Sequence, residues 1–304
     1  RDPERKHPES TIGLICHDDE NLYLAVRCEV NEMDKFRASM ADDRLRNGQF
    51  VYGKAGLIEV FFDTKHDRKT FQQYMLHANG SIGVTLPKED LLRILNEEYL
   101  QCRSEITDTG FTIESAFPLA MLHLRPDTAK VWGFNINRVH DLYDERYDKN
   151  GFYSSWNSTR GAGFQTPELF GDLTFEADLS RFYWAIDFVR EPQAGDSQVE
   201  LRVQNQTGQD FSGTLALSIS DEDSAATRFE QALLLKRGDT QRIRFDHFIS
   251  ARDAEASFRV ALTDSVGQAC YLGGTQKLDL TPADDWAPPA PTSQQEKAGF
   301  VLFR

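Results

Sequence analysis

The sequence predicts an all-β chain built as two β-sandwiches in succession. Three observations carry this. Segments such as LYLAVRCEV (22–30) and LIEVFFD (57–63) alternate with the period of two that a strand with one buried face requires. Turn signals (HDDEN, NG, DTG) stand between such segments. The 21 Phe and 9 Tyr suit a pleated surface better than a helix bundle. A length of 304 residues accommodates two domains.

Residues 1–10 are charged and carry two prolines, and read as an arm. TIGLIC and LYLAVRCEV form a hairpin, with Leu22, Leu24, Val26 and Cys28 on one face and Tyr23, Ala25 and Arg27 on the other. Residues 31–50 read as a long polar excursion. In LIEVFFD, Ile58, Val60 and Phe62 point inward, so Glu59 points away. FQQYMLHA and SIGVTL make a hairpin around Asn79-Gly80. The stretch 87–98 has a helical pattern, with Leu91, Leu92 and Leu95 on one face. YLQCRSEIT and FTIESAF are strands about a DTG turn, and PLAMLHL is a short helix begun by Pro118. In VWGFNINRV, Trp132, Phe134 and Ile136 alternate with Gly133, Asn135 and Asn137, so Trp132 belongs to the core. A long polar loop follows, and FGDLTF returns to the sheet.

A shift in composition near 178–180 opens a second block. Its strands recur about every ten residues, the sandwich pattern: VELRVQN, GTLALSIS, FEQALLLK, TQRIRFDHF, ASFRVALTD and ACYLGG. Without a Cys…Trp…Cys spacing it is Ig-like or fibronectin-like by pattern alone. The expected division is a first sandwich over 1–179, a second over 180–281, and a proline-rich linker over 282–304 leading to a further domain. Opening on Arg1 with no visible signal peptide, the chain is expected to be a piece of a larger polypeptide.

The formal net charge of −14, spread along the chain, argues against nucleic acid and anionic membranes as partners. No run approaches the length of a transmembrane helix. Cys16, Cys28, Cys102 and Cys270 lie far apart without a CxxC, which argues against zinc. In the first hairpin residue 16 faces about position 23, so a Cys16–Cys28 bridge is out of register, and mostly free, buried thiols are expected. The sequence carries no nucleophile elbow, P-loop, dinucleotide fingerprint or HExxH, and the chain is expected not to be an enzyme.

Trp156 stands in YSSWNSTRG without apolar periodicity. An indole held in a polar loop suits the flat C–H face of a sugar, while neighbouring Asn, Arg and Glu suit its hydroxyls. The other reading is a lid folded over the core. Tyr52, among glycines before a strand, is a second aromatic wall or an ordinary strand-edge tyrosine. Asn137, Arg138 and Glu59 are the polar contacts expected beside Trp156. For Arg138 a structural pair with Glu114 is the competing reading.

Taken in order, HDDENLYLAVRCEV, LIEVFFD, FTIESAFPLAML, VWGFNINRV, YSSWNS and ELFGDLTF resemble the series found in family 9 carbohydrate-binding modules, over roughly residues 10–178. The wider superfamily includes DOMON and cytochrome-type haem domains. The resemblance implies a two-sheet sandwich, often calcium-stabilised, in secreted or cell-surface carbohydrate-active proteins, with an oligo- or polysaccharide as partner. It implies a sugar clamped between two aromatic rings. Trp156 matches one of them; Tyr52 stands near the other, where members have tryptophan. A structural calcium ion fits the acidic loops, although no loop matches the EF-hand pattern. Two alternatives stand beside sugar binding. One is a haem-binding electron-transfer domain, for which Met75 and His77 share a strand face. Residues two apart rarely reach opposite faces of one haem, so no haem is expected. The other is a structural or interaction module whose slot has degenerated.

Overall fold

The computed structural model describes residues 9–41, 46–48, 50, 55–85, 99–126, 130–140, 153–160, 163–221, 226–249, 255–275 and 278–279. The helical pattern at 87–98, the linker from 282 and Tyr52 lie outside the described residues.

Two antiparallel sheets make the first sandwich. The four-stranded one is ordered β1 (Thr11–His17), β2 (Asn21–Glu29), β7 (Gly110–Pro118), β6 (Gln101–Ile106). The six-stranded one is ordered β10 (Gly171–Thr174), β8 (Val131–Val139), β3 (Leu57–Asp63), β4 (Gln72–His77), β5 (Ile82–Thr85), with β9 (Tyr153–Ser155) also on β8. As the parity of the sequence requires, Leu24, Val26, Val60, Phe62, Trp132 and Phe134 meet in one core cluster between the sheets. Phe62 stands at its centre, edge-on to Tyr74, Phe117 and Trp132 at centroid distances of 5.8, 5.3 and 6.2 Å. Burying such rings contributes about 1.5–3 kcal/mol each.

The first hairpin has the expected register. Cys16 faces Tyr23, and Cys28 faces Thr11. All four cysteines are free; Cys28 and Cys270 are buried, whereas Cys16 is exposed on the edge strand. Burial pushes the Cys28 thiol up to about 11.

Three details depart from the sequence reading. The excursion after residue 30 contains a short helix, α1 (Met33–Ser39), whose Phe36 stacks on Phe111 at 5.3 Å. Tyr153–Ser155 is a strand, so the polar loop is shorter than the sequence suggests. Glu114 is exposed and does not pair with Arg138.

The second sandwich has a three-stranded sheet, β11 (Trp184–Phe188), β12 (Gln198–Asn205), β15 (Thr240–Asp246). Facing it is a sheet ordered β14 (Thr227–Leu235), β13 (Phe211–Asp221), β16 (Glu255–Asp264), β17 (Ala269–Gly274), with β18 (Leu278–Asp279) on β16. Its core is a separate cluster that includes Leu201, Val203, Leu215, Leu217, Phe258 and Val260.

Candidate functional site

The six-stranded sheet has a second face, turned away from the core. Strand alternation sends Leu57, Glu59, Phe61 and Asp63 of β3 to it, and register brings Gln73, Met75, His77, Asn135, Asn137 and Val139 beside them. This face is covered. Phe50 and Phe164 pack on Leu57, Met75 and Val139, and Phe71 and Phe170 pack on Phe61.

Beneath that cover lies a polar floor. Glu59 and Asn137 are directly opposed across β3 and β8. Glu59 is 3% exposed and accepts a bond from Gln73 Nε2 at 2.9 Å; Gln165 Nε2 in turn donates to Gln73 Oε1 at 2.8 Å. Burial pushes the Glu59 carboxyl up to about 7, partly offset by the Gln73 bond. Asn137 is 1% exposed, and both its amide oxygen and its amide nitrogen lack a hydrogen-bond partner. Leaving such groups unpaired costs about 1–3 kcal/mol each. Burial likewise lowers His77 to about 4, against a raising bond with Asn79. Met75 and His77 share this face, two residues apart on one strand.

Arg138 is corrected by the structure. It follows the parity of Trp132 and Phe134 to the opposite side of the sheet, where both of its terminal nitrogens bond the 9–11 segment and the end of β2 while Nε is buried without a partner. Nη2 bonds Glu29 O at 2.7 Å and Glu9 Oε2 at 3.2 Å, and Nη1 bonds Thr11 Oγ1 at 3.1 Å and Ser10 O at 3.3 Å. Glu9, in the supposed arm, is therefore an anchor. His140 Nδ1 lies 2.9 Å from the same Glu9 oxygen, and its Nε2 lies 2.9 Å from Ser154 Oγ. The order serine, histidine, carboxylate resembles a catalytic relay. The carboxylate, however, is spent on Arg138 and on the Asn31 backbone N–H at 2.8 Å. Burial raises the Glu9 carboxyl, but its bonds to His140 and Asn31 and the Arg138 charge bring it below its ordinary value. The group ties residues 9–11 to β8 and β9.

Trp156 also lies on the core side of the sheet. Its N–H donates to Ile136 O at 2.8 Å, continuing the β8–β9 ladder by one residue. Its ring rests on Phe134 at 5.6 Å and over Gly171, where a Cβ would come within 2.4 Å of the indole. The side chain remains 59% exposed. Trp156 is thus supported below and open above, and the sheet separates it from Glu59 and Asn137. The exposed ring on the polar-floor face is Tyr153, opposite Val139 and edge-on to Phe164 at 5.3 Å.

The bed of Trp156 is fixed by residues that sequence reasoning missed. Arg68 bonds both Phe170 O and Asp172, and His66 Nε2 meets Asp172 Oδ1 at 3.0 Å. Both His66 and Arg68 hold positive φ, 47° and 58°. Strain of this kind persists only where the surroundings enforce it; here the buried Asp63 takes the Arg68 backbone N–H at 2.8 Å. Asn135 Oδ1 accepts from the Asn157 N–H at 3.0 Å, and Asn157 Nδ2 donates to Leu169 O at 2.6 Å, which sets the far side of the loop. The sequence signal was DTKHDRKT, a dense run of turn-formers.

Among the described residues no three His, Cys, Asp or Glu side chains group to hold an ion. Asp63 and Asp67 accept from backbone N–H groups of their own loop.

The first unit is a two-sheet β-sandwich module. Residues 7–177 match the family described as carbohydrate family 9 binding domain-like, and the chain belongs to that family. Domains of this family typically occur in extracellular proteins. No curated protein is similar enough to be matched. Among solved structures, the chain is similar to a Bifidobacterium adolescentis GH3 beta-glucosidase at 19% identity, over 34% of this chain and 19% of that one, with a TM-score of 0.21. It is similar to a DUF4785 family protein from Legionella pneumophila at 9% identity, over 86% and 52%, with a TM-score of 0.26. A Bacteroides uniformis beta-glucuronidase matches at 10% identity, over 86% and 26%, with a TM-score of 0.26. Likenesses this slight speak neither for fold nor for function, and the chain spans about half or less of each of these proteins. No helix among the described residues is long and apolar enough to cross a membrane.

Proposed function

We propose that the family 9 part, residues 1–179, is a non-catalytic module that binds a saccharide within a larger secreted or cell-surface protein. The observation that supports it most is Asn137. A buried amide with neither polar atom paired, directly opposite a carboxyl that burial raises to about 7, is a floor of hydrogen-bonding groups. A neutral sugar needs such a floor and an apolar wall. On this face Tyr153 supplies the ring; Trp156, across the sheet from Glu59 and Asn137, offers a second, open ring. Tyr52 belongs to the proposal by its place in the sequence. Arg138 does not, because it lies on the other side of the sheet with Nη1 and Nη2 bonded to residues 9–11 and 29. Access requires Phe50 and Phe164 to move off Leu57 and Val139.

The test is calorimetric titration of the whole chain with a panel of soluble oligosaccharides, comparing wild type with Asn137→Ala and Trp156→Ala. Binding that either substitution weakens at least tenfold supports the reading. Full affinity in both variants refutes it. A second reading, a structural module with a closed slot, is favoured by the burial of Glu59 and Asn137. It predicts no saccharide binding at all.

A further inference from the structure

The junction of the two sandwiches holds a separate cleft of about 260 Å³. Its wall is built across domains. His123, after β7, bonds Leu272 O of β17 through Nε2 at 2.8 Å, and its ring stacks on Tyr271 at 4.6 Å and 7°. His123 holds a positive φ of 50°, a conformation that this packing must enforce. Leu272 joins the core cluster of the first sandwich, so the contact is packed and the cleft is bounded on both sides.

The open side is polar. β11 and β12 pair Asp187 with Arg202 and Ala185 with Gln204, and these residues line the cleft together with Gln206. Arg202 Nη2 meets Asp187 Oδ2 at 2.9 Å, and Gln206 Nε2 donates to Gln204 Oε1 at 3.1 Å. The first sandwich contributes Arg125, which is exposed and makes no ion pair among the described residues. Two guanidinium groups therefore face one carboxylate, leaving one positive charge over in a chain whose net charge is −14. A guanidinium without a partner matches a carboxylate in bidentate geometry, and paired amides match vicinal hydroxyls. The volume lies just under the range of about 300–1,000 Å³ usual for drug-sized ligands, so it suits one ring and not a chain.

We propose that this cleft binds a small polyhydroxylated carboxylate, a single-ring sugar acid, with Arg125 as its charge partner and Gln204 and Gln206 as hydroxyl contacts. The site is independent of the saccharide face, which lies on the other sheet of the first sandwich. The experiment uses the whole chain, isotope-labelled, titrated with D-glucuronate and in parallel with D-glucose and with acetate. The readout is the backbone amide shifts of Ala185, Gln204 and Gln206. Saturable shifts with glucuronate are expected, at least tenfold weaker with either comparison ligand and at least tenfold weaker in Arg125→Ala. Trp156→Ala should leave them unchanged. Absence of saturable shifts, glucose or acetate binding as tightly as glucuronate, or full binding in Arg125→Ala overturns the proposal. Loss of binding in Trp156→Ala also overturns it, by placing the ligand at the saccharide face.

Discussion

The two faces of the six-stranded sheet are built from the same strands and are almost equally buried, yet they differ in kind. The core face carries Ile58, Val60, Phe62, Tyr74, Trp132 and Phe134, whose only polar side-chain atoms are the Tyr74 hydroxyl, bonded to Gln72 Oε1 at 3.1 Å, and the unpaired Trp132 Nε1. The other face carries Glu59, Gln73, Asn135 and Asn137 beneath aromatic side chains delivered by loops. Burying the first stabilises the fold. Burying the second costs stability unless each polar group finds a partner, and Asn137 has none.

The largest expected difference lies in the core. Trp132 is fully buried, tilted onto Phe175 at 4.2 Å and edge-on to Phe62. Trp132→Ala should cost about 3–5 kcal/mol in chemical denaturation, the range for deleting a large buried aromatic. An unshifted unfolding curve would remove Trp132 from the core and break the contrast at its root.

On the opposite face, the sign depends on pH. The folded Glu59 carboxyl is raised to about 7 from an ordinary 4.5, chiefly by burial. Between these values the folded protein holds a proton that the unfolded chain has released. Stability therefore falls as pH rises from about 4.5 to about 7, by about 3 kcal/mol at about 1.4 kcal/mol per unit. Glu59→Gln keeps an acceptor for Gln73 and carries no charge. It should match wild type near pH 4.5 and exceed it by about 3 kcal/mol at pH 8. Parallel stability curves for the two proteins across this range would show that Glu59 is solvated.

Asn137→Leu sharpens the comparison further. Replacing an unpaired amide by an apolar group of similar size removes a desolvation penalty of about 1–3 kcal/mol. The variant should be more stable than wild type and should lose saccharide affinity. Lower stability would mean that the amide is satisfied in solution and that the floor is structural.

The core face was legible in the sequence because parity is a local property: one strand's alternation states which side chains meet. The polar face was legible only as the other parity. What covers it comes from afar, since Phe50, Phe164 and Phe170 reach β3 and its neighbours from loops with no periodicity of their own. Arg138 shows the same limit. Its parity placed it on the core side, but its partner Glu9 lies 129 residues away in a segment that reads as a charged arm. Trp156 was recognisable as an unusual ring. Its side of the sheet was not, because β9 has only three residues in which to show alternation.

Trp156 gives the smallest expected change in stability and the most informative one. More than half of its surface is open, so the area lost from contact with Phe134 and Gly171 corresponds to about 1–2 kcal/mol. Trp132→Ala should cost at least twice that. If the indole is a stacking platform, Trp156→Ala leaves a folded protein with lost or weakened saccharide binding. If it is a lid, the variant loses stability as a core variant does and keeps its affinity. Gly171→Ala separates the ring's presence from its position. Its backbone is in an ordinary extended strand, but the added methyl would meet the indole at 2.4 Å. The ring must then shift while staying in the chain. A platform requires a fixed plane, so Gly171→Ala should weaken binding nearly as much as Trp156→Ala, with Phe134 still buried and the melting temperature within a few degrees of wild type. Full affinity in Gly171→Ala together with lost affinity in Trp156→Ala would mean that the indole acts through contact area alone, without the orientation that Arg68 and Asp172 impose on its bed.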